Sequence, residues 1–145
     1  MRRQLLGVAV ATALAWVTLS APAATATQST DAEVHAFLYN KTRHSLTLKV
    51  EHNTRGCTYV HPTQQVPPGG YTAWLVETCG DINIDGYVTY TIDNTGGQGY
   101  AYTHWFATAG GQPSYDAQAG GQFTMGVTHP GNEVDYTLNC LIPHC

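Results

Sequence analysis

The feature that most narrows what this chain can fold into is a period of two. In SLTLKVEHN (45–53), Leu46, Leu48 and Val50 alternate with Thr47, Lys49 and Glu51, the pattern of a strand with one buried and one wet face. VHAFLYN (34–40), YTAWLVE (71–77), GYVTYTID (86–93), GYAYTHWF (99–106), GQFTMGVTH (121–129) and EVDYTLNCL (133–141) read the same way. No apolar repeat of helical spacing interrupts them. Pro67 and Pro68 suit the turn before Tyr71, because neither could donate to a strand ladder. Seven or more such strands, too closely spaced for helices between them, predict an all-β, antiparallel β-sandwich in a single domain.

The strands begin only after MRRQLLGVAVATALAWVTLSAPAATA (1–26), which has the three parts of a secretory signal. Arg2 and Arg3 form the basic segment, Leu5 to Val17 the apolar one, and small residues follow, with cleavage expected after Ala23 or Ala26. The apolar run is shorter than the roughly 20 residues a membrane helix needs. The expected mature domain is 27–145, in the extracellular space. It keeps Lys41, Arg43, Lys49 and Arg55 against ten carboxylates, a formal charge of −6. Four scattered cations argue against nucleic acid, which needs clustered Lys and Arg. An acidic protein is not drawn electrostatically to anionic lipid either, so any membrane contact would be led by rings or specific headgroup contacts.

Cys57, Cys79, Cys140 and Cys145 fall in this exported part. An even number in an oxidising compartment implies two disulfides, for which three connectivities exist. The pairing adopted is Cys57 with Cys79 and Cys140 with Cys145, one stapling two loops and the other tying down the C-terminus. A zinc site at Cys140 and Cys145 with His144 between them has poor spacing and lacks a second ligand pair.

GYVTYTIDNTGGQGYAYTHWF (86–106) holds six aromatic residues around a Gly-Gly turn. A type I′ turn at Gly96-Gly97 sets Thr95 opposite Gln98. Counting outward, Ile92 then faces Ala101, Tyr90 faces Thr103 and Val88 faces Trp105. Asp93 faces Tyr100, Thr91 faces Tyr102, Thr89 faces His104 and Tyr87 faces Phe106. The first set is the aliphatic face, expected to be core, with Trp105 inward and structural. The second places Tyr87, Tyr100, Tyr102, His104 and Phe106 on a half-wet face. Such rings either support cross-strand packing or form a recognition platform for a lipid headgroup or a sugar.

The succession NKTRHSLTL, VPPGGYTAW, GYVTY, AYTHW and a glycine-rich segment ending in Tyr115 resembles the aegerolysin family, in particular its small secreted bacterial members. The resemblance runs from about Val34 to Leu138. It implies a β-sandwich that binds membrane lipids, with sphingolipid-type headgroups as partners. It also implies cytolysis in some members, often with a larger pore-forming partner. Two departures stand out. Where the family pattern continues from His-Trp into Asp-Asn-Pro, this chain has Phe106-Ala107-Thr108, and the four cysteines are additional to the pattern.

Catalytic and cofactor motifs are missing. The seven histidines are scattered singly, with no His-x-x-x-His helix, nucleophile elbow, phosphate loop or dinucleotide fingerprint. Glu77, Asp81 and Asp85 flank Cys79, but a hard cation needs six or more oxygens, so no metal is expected. Asn40-Lys41-Thr42 is a glycosylation sequon. The reading is therefore of a secreted binding protein rather than an enzyme, without a cofactor. Its ligand is a membrane lipid or, in the second reading, a carbohydrate or another secreted protein met by the same ring face.

Overall fold

In the computed structural model, residues 31–130, 133–143 and 145 are described; the leader at 1–26 and its cleavage site lie outside them. Every regular element among them is a strand: β1 (Glu33–Asn40), β2 (Leu46–Arg55), β3 (Cys57–Val60), β4 (Gln65–Val66), β5 (Tyr71–Glu77), β6 (Asn83–Ile92), β7 (Tyr100–Thr108), β8 (Ser114–Ala119), β9 (Phe123–Thr128) and β10 (Glu133–Cys140). They form two five-stranded sheets, ordered β3-β5-β1-β10-β9 and β4-β2-β6-β7-β8. The strands read from alternation are all present. β3, β4 and β8 are additional. Pairing is antiparallel except between the first and last strands, where β1 and β10 run parallel, with His35 opposite Glu133 and Asn40 opposite Leu138.

Alternation explains the core. Val34, Ala36 and Leu38 of β1, Trp74 and Val76 of β5, Val88, Tyr90 and Ile92 of β6, and Val134, Tyr136 and Leu138 of β10 all point between the sheets. Trp105 is fully buried, as its place in the aliphatic row of β7 implies. Its ring lies 5.7 Å from that of Trp74, which in turn stacks on Tyr136 at 5.9 Å. Room for Trp105 comes from Gly86 on the neighbouring strand, where an added Cβ would sit 2.7 Å from the indole and from the His52 carbonyl. The two core tyrosines keep their hydroxyls satisfied at the margin: Tyr90 donates to the Thr63 carbonyl at 2.7 Å and Tyr136 to the His104 carbonyl at 2.8 Å. Burial raises the phenol pKa of both.

Two register expectations are corrected. In the β6–β7 hairpin the pairs are Thr91 with Tyr100, Tyr90 with Ala101, Thr89 with Tyr102, Val88 with Thr103, Tyr87 with His104, and Asp85 with Phe106. Each residue of β6 therefore meets a β7 residue two places earlier than the two-residue turn implies. Gly96 and Gly97 do both have positive φ, and Gln98 donates to the Thr95 carbonyl. Below that turn, however, Ile92 bonds to Gly99, so residues 93–95 are accommodated on one side against Gln98 alone. Thr95 Oγ1 pins this bulge, donating to the Ile92 carbonyl at 2.7 Å and accepting from the Gly99 amide at 3.0 Å. A slip of two leaves both faces intact, because side chains alternate with period two. The second correction is in β2, where the register shifts between Leu48 and Val50. Lys49 is the extra residue of that bulge, so Val50 falls opposite Thr89 and His52 opposite Tyr87, on the outer face rather than in the inner row.

Both disulfides join the expected partners, Cys57 with Cys79 and Cys140 with Cys145. They sit at opposite ends of the sandwich. The near end carries the connections at 41–45, 67–70, 93–99, 120–122 and 141–145; the far end carries those at 78–82 and 109–113. The sequon is closed by its own turn at the near end. Asn40 is fully buried; its amide donates to the His44 and Pro67 carbonyls, and its oxygen accepts from the Thr42 amide and hydroxyl.

Candidate functional site

The hairpin of β6 and β7 places all five ring-face residues on the outside of the second sheet. Tyr87 and Tyr102 pack with ring centroids 5.7 Å apart, and His52 extends the row across β2 at 5.3 Å from Tyr87. His52 joins the row only because of the Lys49 bulge, which is why alternation alone does not place it there. Toward the far end His104 Nε2 meets Asp85 Oδ1 at 3.0 Å, and beyond it Phe106 is 38% exposed. Tyr100, at the near end of the same strand, is 40% exposed. These rings are thus strung along about 20 Å of sheet, using the usual rise of about 3.3 Å per residue, and do not converge on one point.

A concavity singles out part of this row. An open depression of ≈ 530 Å³ lies between β2 and β8 over the near half of the sheet, lined by Lys49, Thr89, Thr91, Tyr100, Tyr102, Asp116 and Gln118 among others. Of the five ring-face residues, Tyr100 and Tyr102 line it; Tyr87 supports Tyr102 from the side, and His104 and Phe106 lie outside. Tyr102 is held neutral above the usual phenol range, chiefly by burial and then by the carboxylate of Asp116, neighbouring Tyr87 and Asp85. It can therefore donate its O–H to a ligand oxygen across the physiological range. Tyr100 is fixed by a glycine: its ring lies over Gly120, where a Cβ would come within 2.2 Å of the aromatic carbons. Lys49 contributes the cation, on the outer face that alternation along β2 already gives it.

The other sheet carries rings on its outer face too. Phe37 and Tyr39 of β1 stack at 6.3 Å, Tyr39 meets Tyr71 of β5 at 5.9 Å, and the Lys41 ammonium stands 5.7 Å from the Tyr39 ring centre. Phe37 and Tyr39 alternate with the inward Ala36 and Leu38, so their direction is readable from the sequence. Their meeting with Tyr71 requires the β1–β5 pairing. At the far end, Asp85 is engaged with His104 on the second sheet while Glu77 ends β5 on the first. No group of three or more potential metal-ligating side chains occurs among the described residues.

No family model and no curated protein matches the chain. Among solved structures, the chain is similar in fold to one described as the crystal structure of lipid binding protein Nakanori at 1.5 Å. The likeness has a TM-score of 0.59 and 16% sequence identity, over 74% of this chain and 70% of that one.

Proposed function

We propose that the protein is a secreted, non-catalytic lipid-binding protein that takes a membrane-lipid headgroup on the outer face of the β4-β2-β6-β7-β8 sheet. The observation that carries this reading is the depression at Tyr100 and Tyr102. It combines two ring surfaces with one cation, one carboxylate and a row of hydroxyls. A zwitterionic phosphate-bearing headgroup fits that set: Lys49 and the Thr hydroxyls for the phosphate, the tyrosine faces and Asp116 for a quaternary ammonium. Support from fold likeness is independent of this chemistry, since the Nakanori structure is that of a lipid binding protein. The aegerolysin-like succession of motifs supports the narrower form, in which the headgroup is of sphingolipid type. On that reading, binding leads to lysis of the target cell, alone or with a larger pore-forming partner.

Co-sedimentation with phosphatidylcholine vesicles, with and without sphingomyelin, tests this reading beside a panel of insoluble polysaccharides. Binding to sphingomyelin vesicles, weakened by Tyr100→Ala with Tyr102→Ala at unchanged thermal stability, is the expected result. Retention on polysaccharide and on no vesicle would favour the carbohydrate reading, for which Asp116, Gln118, Thr89 and Thr91 offer the hydrogen-bonding set. Lysis is read separately, from dye release with the protein alone.

A further inference from the structure

The C-terminal disulfide closes a small loop that carries two exposed aliphatic side chains. Leu141 is 63% exposed and Ile142 46%. Their backbone is held from both sides: β10 ends at Cys140, Cys145 is bonded back to it, and the Leu141 amide donates to the Gln122 carbonyl at 2.9 Å. A chain free to rearrange would fold such residues onto the domain. A ring of six residues anchored at Gln122 has little freedom to do so, and Leu141 in particular stays projected.

What surrounds the tip decides what it meets. Tyr71, 62% exposed, and Tyr100 stand at the same near end on the two sheets, and Lys41 and Arg43 are exposed on the adjoining turn. The near-end loops carry one acidic side chain among the described residues, Asp93, and it accepts from Thr47 at 3.0 and 3.2 Å. Six of the ten carboxylates, Asp31, Glu33, Glu77, Asp81, Asp85 and Glu133, lie at or beside the far end. The far end has exposed apolar side chains as well, Ile82 at 71% and Phe106 at 38%, and it holds Arg55, but there they stand among most of the acidic side chains; at the near end Lys41, Arg43, Tyr71, Tyr100 and the aliphatic tip come together with a single acidic side chain. Apolar side chains ringed by tyrosine and by Lys or Arg match the layering of a bilayer surface: acyl boundary, interfacial belt, phosphate plane.

We infer that the near end is the membrane-docking end, with Leu141 and Ile142 entering the interfacial layer as a disulfide-held wedge. Lys41 and Arg43 meet the phosphates. The ≈ 400 Å³ cavity between the wedge and the 93–99 turn, lined by His44, Asn94, Gln98, Gln122, Phe123 and Ile142 among others, then faces the headgroups. Docked this way, the Tyr100 depression on the sheet face reaches the same layer. The inference rests on the lipid-binding reading and adds to it an orientation and an insertion site.

The test uses the disulfide-bonded protein and vesicles of phosphatidylcholine and sphingomyelin. Leu141→Asp changes a side chain that is 63% exposed and is expected to leave the melting temperature unchanged, while adding Ile142→Asp, which also touches the cavity wall, should lower it only slightly. The double Asp variant should lower vesicle affinity by roughly tenfold or more per side chain, an order-of-magnitude figure for losing an apolar contact. Ile142→Trp supplies a reporter: its added fluorescence should shift to the blue with vesicles and be quenched by brominated acyl chains. Full-affinity binding by the double Asp variant, or fluorescence added by Ile142→Trp that vesicles leave unmoved, overturns the wedge while leaving lipid binding at the sheet face standing. A parent protein that binds no vesicle overturns both. A parent that is a dimer, dissociated by the double Asp variant, overturns the wedge in favour of a second copy as the occupant of the tip.

Discussion

Truncating Trp105 to Ala tests the packing on which the ring face rests. The indole is fully buried, stands 5.7 Å from Trp74 and fills the space left by Gly86. Because the second layer is a rigid sheet, the site cannot collapse, and such truncations cost about 3–5 kcal/mol. For a domain of this size that is a large share of a total of about 5–15 kcal/mol, equivalent to a fall in melting temperature of roughly 10–25 °C. Trp105→Phe should behave differently. The Trp105 Nε1–H is buried without a hydrogen-bond partner, and leaving such a donor unsatisfied costs about 1–3 kcal/mol. Phe removes the donor and keeps most of the ring, so relief and lost packing should leave Trp105→Phe within about 1 kcal/mol of the parent. Guanidinium unfolding of the three proteins reads both numbers. Two results would refute the reasoning: Trp105→Ala within about 1 kcal/mol of the parent, or Trp105→Phe as damaging as Trp105→Ala. The second would mean that the indole N–H is satisfied in solution.

Other consequences are open to direct measurement. Gly120→Ala should push the Tyr100 ring off its seat and press the new methyl on the Gln98 carbonyl, 2.9 Å away, so ligand binding weakens and the melting temperature falls; unchanged affinity would mean that Tyr100 does not contribute in its present pose. Selective loss of the Cys57–Cys79 bridge should cost more than loss of Cys140–Cys145, about 3.4 against 2.2 kcal/mol from loop length alone, and equal losses by chemical denaturation would contradict the entropic account. In a host that glycosylates exported chains, the folded protein should carry no glycan at Asn40, whose amide is buried and bonded at both ends; intact mass decides this. The raised phenol pKa values of Tyr90 and Tyr136 mean that the folded state holds protons which the unfolded chain releases above about pH 10. Stability from these residues is complete below that pH and should fall as pH rises beyond it, so denaturation midpoints flat from about pH 9 to about pH 11.5 would argue against buried neutral phenols.

Alternation exposes the two faces of the β6–β7 hairpin, and with them the separation of Trp105 from Tyr100 and Tyr102. It cannot expose cross-strand partners. Thr95 can cap a bulge or continue a strand with equal local sense, and only the bond from Gly99 shows which occurs. Because the resulting slip is two residues, the faces survive an error in every pair. The one-residue bulge at Lys49 has the opposite effect, changing the face on which Val50 and His52 stand. Nothing in KVEHN distinguishes it from an uninterrupted strand. β8 (Ser114–Ala119) escapes a sequence reading because SYDAQA is too polar and small to show an apolar row. The Tyr39–Tyr71 pair escapes it because a contact 32 positions apart depends on which strands become neighbours. The apolar wedge at Leu141 and Ile142 reads in sequence as the end of the last strand. Its exposure follows from the disulfide and the Gln122 anchor together.

The side-by-side placement of the first and last strands has a temporal consequence. β1 and β10 are inner strands of their sheet, and β1 separates β5 from β10, which in turn supports β9. Until residues 133–140 are available, β1 has one open edge, β9 has no partner in the sheet, and the layer over Trp105 is incomplete. Only the β4-β2-β6-β7-β8 sheet can be completed before then, and closure of the other joins positions as far apart in sequence as His35 and Glu133, a slow event among folding steps.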